Sequence, residues 1–343
     1  MSEQTAAKSP TGGTRQIMVV EAINQALHDA MADDPSILVL GEDVADPEQG
    51  GVTGVTKGLS TRFGDKRVRS TPISEQAIMG AAIGASLVGR KPIAEIMLMN
   101  FTPVAMDMIV NHAAKLRFMS GGQTNVPIVI RTMTGAGLAT GGQHSDYFEA
   151  WFAHTAGMKV VAPSNTLDAY GLLRSAIDDP DPVLVIENMP CYWTRGDAPS
   201  PGYRVPIGKA RIAAVGSDIT IVSYSRVLNE CMAALKPLQE SGVSAEVIDL
   251  RSIQPWDQEA VCASVAKTGR LLVVHEAVTP FGVGAEIAAV VTENLFTKLK
   301  GPVARLGAPF APVPFTKPLE QAFVPNAEKI ARRAIELVKG QSR

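Results

Sequence analysis

The sequence predicts an α/β protein made of two doubly wound units, and three observations carry that prediction. Short apolar runs at 36–41, 91–98, 127–131, 158–163, 183–187, 219–224, 245–250 and 270–275 are separated by segments of helical spacing. Strands that alternate with helices point to a mostly parallel sheet covered on both faces. The alternation lapses between 188 and 206 into Pro, Gly and aromatic residues, and 343 residues are enough to bury two cores. The expected organisation is a tail at 1–15, a first unit at 16–190, a linker at 191–206 and a second unit at 207–343.

Composition narrows the function classes. The chain is 46% hydrophobic and 19% charged with a net charge of −2, and it has no basic stripe, so nucleic acid is not an expected partner. Its three cysteines (Cys191, Cys231, Cys262) form no metal or redox spacing and suit a reducing compartment. The first residues are polar with no apolar core, unlike a signal peptide. The apolar run 77–89 falls short of the roughly 18 residues a membrane span requires. A cytoplasmic protein without membrane contact is the expectation.

In chain order, 17–31 has helical spacing and 36–41 reads as a buried strand ending on a glycine turn. The glycine-rich stretch 42–58 reads as a functional loop at the end of that strand, where open parallel sheets bind ligands. A strand at 91–98 and a helix at 103–118 follow, with Met97, Met99, Met106 and Met108 as core filling. The strand 127–131 leads into the loop 132–142, with Gly135, Gly137, Gly141 and Gly142. Further helices are expected at 166–177, 229–239, 257–267, 285–295 and 326–339, and an extended Pro-rich segment at 302–318. Gly282-Val-Gly284 reads as packing at a turn rather than as a phosphate loop.

The stretch Ser70-Thr-Pro-Ile-Ser-Glu75 opens a helix of small and apolar residues, with Thr71 or Ser74 as caps and Gly80 and Gly84 one turn apart. Glu75 is then either a surface acid complementing the helix dipole or a half-buried carboxyl at a site. Among the five histidines, His144 follows the glycine-rich loop beside Gln143 and Asp146, in a setting suited to a polar group at a pocket. His275, at a strand end next to Glu276, is a second candidate for a cleft. No Walker loop, metal spacing, nucleophile elbow or dinucleotide fingerprint is present.

The motifs Leu40-Gly-Glu-Asp-Val44, Gly64-Asp-Lys-Arg67, Thr71-Pro-Ile-Ser-Glu75, Asn111-His-Ala-Ala-Lys115, Gln143-His-Ser145 and Gly282-Val-Gly-Ala-Glu286 occur in the order of one family. From about Arg15 to the last helix the chain resembles the beta subunit of the thiamine-diphosphate-dependent first component of 2-oxo acid dehydrogenase complexes. The resemblance implies a transketolase-like pyrimidine-binding domain followed by a transketolase C-terminal-like domain. It implies that Glu75 hydrogen-bonds a ring nitrogen of the aminopyrimidine, that Phe101 packs on that ring, and that Glu42 joins a proton path. It also implies that His144 lies near the substrate and the incoming lipoyl group.

The family's Gly-Asp-Gly magnesium motif is missing, and Gly196-Asp-Ala198 reads as a turn. The resemblance therefore implies an alpha subunit that brings Mg2+, in a heterotetramer of two alpha and two beta chains, and a lipoyl acyltransferase as further partner. Some relatives bind K+ through main-chain oxygens, and the matching positions are Ile128, Ala176, Ile177, Asp179 and Asp181. The segments 50–58, 129–137 and 311–315 look most like the acetoin-cleaving branch. Ser70, where an acid is usual, and Gly141-Gly142 depart from the common pattern. A transketolase-like ketol transferase and a non-catalytic docking subunit are the alternatives.

Overall fold

The computed structural model describes residues 15–340, and the expected tail at 1–15 lies outside them except for its last residue. The first sheet has seven strands in the order Ser252–Gln254, Lys159–Val161, Val183–Asn188, Val129–Thr134, Lys91–Leu98, Ile37–Gly41 and Val68–Ser70. All neighbours are parallel except the first pair. Its central strands are buried along nearly their whole length, which is why they read as unbroken apolar runs. The second sheet has five strands, Ala304–Ala308, Leu271–Val278, Ile219–Ser223, Ala245–Asp249 and Arg211–Ala214, parallel but for the last pair.

The strand Ser252–Gln254 comes from the second half of the chain yet completes the first sheet, antiparallel to Lys159–Val161. A shared core matches this crossover. One buried cluster joins Ile78, Ile96, Ile130 and Ile186 to Val222, Ile248, Val273 and Ile287. Each unit adds an outer core of its own, around Ile23, Leu27, Tyr170 and Leu173 in one and Ile221, Val247, Leu272 and Ile330 in the other. Each such side chain gains about 1.5–3 kcal/mol from burial.

Several expectations are corrected. The helix expected at 17–31 is Val19–Asp33, because Ile17 belongs to a strand, Gln16–Met18, paired with Arg195–Asp197. The same pairing makes Gly196-Asp-Ala198 part of a strand rather than a turn. Apart from these corrections, the segment 191–206 packs on the helix Thr166–Asp178, where the side chains of Tyr203 and Val205 leave no room for a Cβ at Gly171. The helix expected at 103–118 is split into a 3-10 turn Met99–Ala105, a π-helix Met108–Ala113 and a single turn Leu116–Met119, with Pro103 unable to donate a backbone bond. The helix expected at 229–239 starts earlier and divides into Ser225–Ala233 and Leu235–Glu240. The Pro-rich segment 302–318 holds the strand Ala304–Ala308 and leads into a helix, Lys317–Phe323.

Candidate active site

The parallel strands of the first sheet end side by side, and every predicted site residue of the cofactor set lies past one of those ends. Gly41 is in register with both Ser70 and Glu95, and its carbonyl accepts a bond from Thr71 N at 2.9 Å. That junction places Glu42, at the end of Ile37–Gly41, beside the start of the helix Glu75–Leu87. Gly41 has no room for a side chain, since a Cβ there would lie 2.8 Å from Glu95.

Glu75 is the first residue of its helix and is only 6% exposed. Its carboxylate has no hydrogen bond or ion pair among the described residues. Ser74 occupies the N-cap, but neither it nor Thr71 caps the helix with its side chain, and the Thr71 hydroxyl is buried without a partner. The helix therefore begins with free backbone N–H groups beside an unpaired buried acid. Glu42, also buried and unpaired, has its carboxyl pushed up by burial first and then by the charges of Glu75, Asp43 and Glu95. Gly84 meets no atom of its own chain and Gly80 only Met108, so this helix face of Ala77, Ala81 and Gly84 is exposed rather than packed within the chain.

Phe101 and His144 meet. Their ring centroids are 5.8 Å apart at 75°, edge to face. Asn100 holds this arrangement: its amide donates to Gly142 O and Asp146 Oδ2, both at 2.9 Å, and its Oδ1 accepts from Asp146 N. The imidazole nitrogens of His144 have no hydrogen-bond partner among the described residues. His275, by contrast, does not face a cleft. It is fully buried, with Nδ1–H donating to Ala277 O at 3.0 Å and Nε2 unpaired, and burial pulls its pKa down to about 4. Gly282 and Gly284 are packing residues: a Cβ at either would press to 2.9 Å on the His275 ring.

The expected cation positions cluster where the helix Thr166–Asp178 ends. Lys159 Nζ lies 2.7 Å from Asp179 Oδ1 and 3.3 Å from Asp181 Oδ2, and Arg117 reaches Asp181 at 2.6 Å. Those carboxylates are thus already balanced. The carbonyls of Ile128 and Ala176 accept from Val183 N and Asp179 N.

Sequence reasoning missed a buried charge cluster beneath the loop 42–58. Arg131, 2% exposed, binds Glu187 at 2.7 and 2.8 Å and Glu95 at 2.5 Å, and Tyr192 donates to Glu187. One cation faces two carboxylates, so burial raises the Glu95 pKa while Arg131 opposes the rise and Glu187 adds to it. The signal was a charged residue in each of three consecutive sheet strands that otherwise read as apolar. A large cavity of about 1150 Å3 also lies between the units, lined by Ser145, Trp151, Trp256, Glu276, Phe281 and Pro312 among others. Glu75, Phe101 and His144 are not in its lining.

Comparison with known proteins accounts for the two α/β units. Residues 15–192 match the transketolase pyrimidine binding domain and residues 208–330 the transketolase C-terminal domain. The chain is thus a two-domain protein of the transketolase type. It superposes on the inactive beta4 tetramer of a split-gene transketolase with a TM-score of 0.76, at 22% identity over 95% of this chain and 99% of that one, which is a likeness of fold.

Nearer relatives specify the branch. The acetoin:2,6-dichlorophenolindophenol oxidoreductase subunit beta of Cupriavidus necator is 42% identical over 334 residues, 95% of this chain and 98% of that protein. The mitochondrial pyruvate dehydrogenase E1 component subunit beta-1 of Arabidopsis thaliana is 42% identical over 330 residues, 95% of this chain and 90% of that protein. The chain belongs to this family of thiamine-diphosphate-dependent oxidoreductase beta subunits. No helix among the described residues is long and apolar enough to cross a membrane.

Proposed function

We propose that this chain is the beta subunit of an acetoin or 2-oxo acid (pyruvate) dehydrogenase that cleaves a C–C bond next to a carbonyl and passes the acyl unit to a lipoyl group. The observation that carries the reading is the set of unpaired polar side chains at one sheet edge: Glu75, Glu42 and His144, with Phe101 against His144. The two acids are largely buried as residues, and their carboxyl oxygens have no protein partner, which suits a ligand that supplies one. The residues therefore fit the aminopyrimidine half of thiamine diphosphate, whose thiazolium supplies carbanion stabilisation when bound.

In this reading Glu75 shares a proton with a ring nitrogen of the cofactor, and Phe101 offers an apolar face to the ring. Glu42, its carboxyl raised by burial and then by its acidic neighbours, can give or take a proton beside Glu75. His144, its nitrogens free, orients or protonates the oxygen of the reacting carbonyl. The diphosphate and Mg2+ are held by an alpha subunit, in a heterotetramer of two alpha and two beta chains, and a lipoyl acyltransferase receives the acyl group. A K+ ion at Ile128, Ala176, Ile177, Asp179 and Asp181 would be held by main-chain oxygens, because Lys159 and Arg117 already balance the two carboxylates. The acetoin branch is favoured by the segments 50–58 and 311–315 and by the name of the Cupriavidus relative. The cytoplasm is the proposed location.

Calorimetric titration of thiamine diphosphate with Mg2+ tests the shared site. The expected result is micromolar binding to the chain mixed with its alpha partner and none to either chain alone. Tight binding to this chain alone would sink the reading.

A further inference from the structure

The loop that carries His144 is gripped from the other half of the molecule. Beyond the strand Val129–Thr134, the chain leaves the first unit and buries Ala136 among Ala308, Val313, Phe323 and Val324 of the second. Three side chains from three different elements of that unit then fasten its backbone. Glu276 accepts from Ala136 N at 2.6 Å, and Arg226 donates to Ala136 O at 2.7 Å. Glu320, 2% exposed on the helix Lys317–Phe323, accepts from Gly137 N at 2.5 Å and from Ala139 N at 3.1 Å.

The return of the loop is shaped to the same unit. A Cβ at Gly142 would lie 3.2 Å from Pro312, and one at Gly141 3.1 Å from Phe315. The two glycines that depart from the family pattern are thus matched to the segment 311–315. Both ends of the loop are fixed in the first unit, where Thr134 donates to Asp146 O and Asn100 to Gly142 O. The stretch between those ends, from Ala136 to Gly142, leans on the second unit. Of the three grips, Glu320 is the one that holds two backbone N–H groups nearest to His144.

We propose that Glu320 is a positioning residue for His144: its carboxylate fixes the 137–139 backbone from the C-terminal domain and so sets where the imidazole stands at the active site. The catalytic consequence rests on the reading of His144 given above. Glu320 touches no reacting group, and making its carboxylate a neutral amide replaces a charge-assisted acceptor of two part-buried N–H groups by a weaker one. The loop tip would then loosen while the sheet edge bearing Glu75 stays in place.

The test uses Glu320→Gln in the chain assembled with its alpha partner. Amide hydrogen exchange of the 136–141 segment should speed up by about tenfold, the factor expected when two bonds lose their charge assistance. Unchanged protection there overturns the grip, whatever His144 does. Turnover with a lipoyl acceptor should fall about tenfold, while the KM for substrate and the affinity for thiamine diphosphate stay within about threefold. Glu320→Gln combined with His144→Ala should lose no more than His144→Ala alone, and additive losses overturn action through His144. Where Glu320→Gln unfolds the chain, Glu320→Asp, which keeps the charge but shortens its reach to the 137–139 backbone, carries the same expectations and the same overturning results. Unchanged turnover in His144→Ala refutes the role of His144 and the catalytic half of the proposal, and the exchange measurement still decides the grip.

Discussion

The rings of Phe101 and His144 meet in a T-shaped pair, 5.8 Å between centroids and 75° between planes, although the two residues lie on different strand exits of the first sheet. An edge-to-face pair of this kind is worth about 0.5–1.5 kcal/mol beyond the area it buries. Phe101→Leu removes the aromatic face from one partner and the packing from the other. We expect it to weaken thiamine diphosphate binding to the assembled enzyme by about tenfold, read by calorimetry. His144→Ala should leave that affinity within about threefold and reduce turnover by about 10²–10⁴. If both substitutions moved affinity and turnover equally, the division of labour between the two rings would be wrong.

Glu75→Gln keeps the size of the side chain and takes away its ability to exchange a proton. Exchange of the thiazolium proton of bound cofactor into D2O should slow by about 10²–10⁴, with assembly unchanged by sedimentation. Because the carboxylate has no partner within the described residues, the variant is not expected to lose stability. A near-normal exchange rate would remove Glu75 from the mechanism.

Gly142 sits where Pro312 and Val313 leave little room. Gly142→Val should destabilise the chain by about 1–3 kcal/mol through overpacking. A second change, Pro312→Ala, should recover part of that loss in denaturant unfolding. Independent, additive effects would show that the two segments are not matched.

Arg131 is buried between Glu95 and Glu187, and removing it leaves two carboxylates without their cation. Arg131→Met should cost about 3–5 kcal/mol. Adding Glu95→Gln and Glu187→Gln to that variant should restore part of the stability, since the uncompensated charges go with them. Urea unfolding of the single and triple variants compares the two outcomes.

Glu149 is fully buried at the seam between the units, accepts from Tyr224 at 2.6 Å and has its other oxygen unpaired. Burial raises its pKa to about 7 from an ordinary 4.5. The folded state therefore holds a proton that the unfolded state releases above 4.5, so this group's stabilisation is lost as pH rises from 4.5 to 7, roughly 3 kcal/mol in all. His275, pulled down to about 4, works the other way and costs stability as pH falls below 6.5. Glu149→Gln should narrow the fall in Tm between pH 5 and pH 8 relative to the unaltered chain. A difference between the two proteins that does not change with pH would contradict the assignment.

Local pattern made much of the fold legible before any coordinates. Periods of two and 3.6 residues are set by neighbouring side chains, so the strands Lys91–Leu98 and Val183–Asn188 and the helix Thr166–Asp178 lay close to where spacing put them. Where the backbone departs from those periods, reading failed: Pro103 and the π-helix after it broke a segment whose side-chain spacing still looked helical. The ordered motifs also pointed to Glu75, Phe101 and His144, which are short-range signatures.

What the sequence by itself determined is therefore the alternation of strands and helices, the two-unit plan and the family, because each is written in residues near one another along the chain. Only the tertiary structure decided that Glu95, Arg131 and Glu187 share one buried cluster, that His275 is walled in by Gly282 and Gly284, and that Glu320 reaches across to the loop of His144. Those relationships depend on strand register and on how two units dock. Both are fixed by packing between residues up to 183 positions apart, which no local period records.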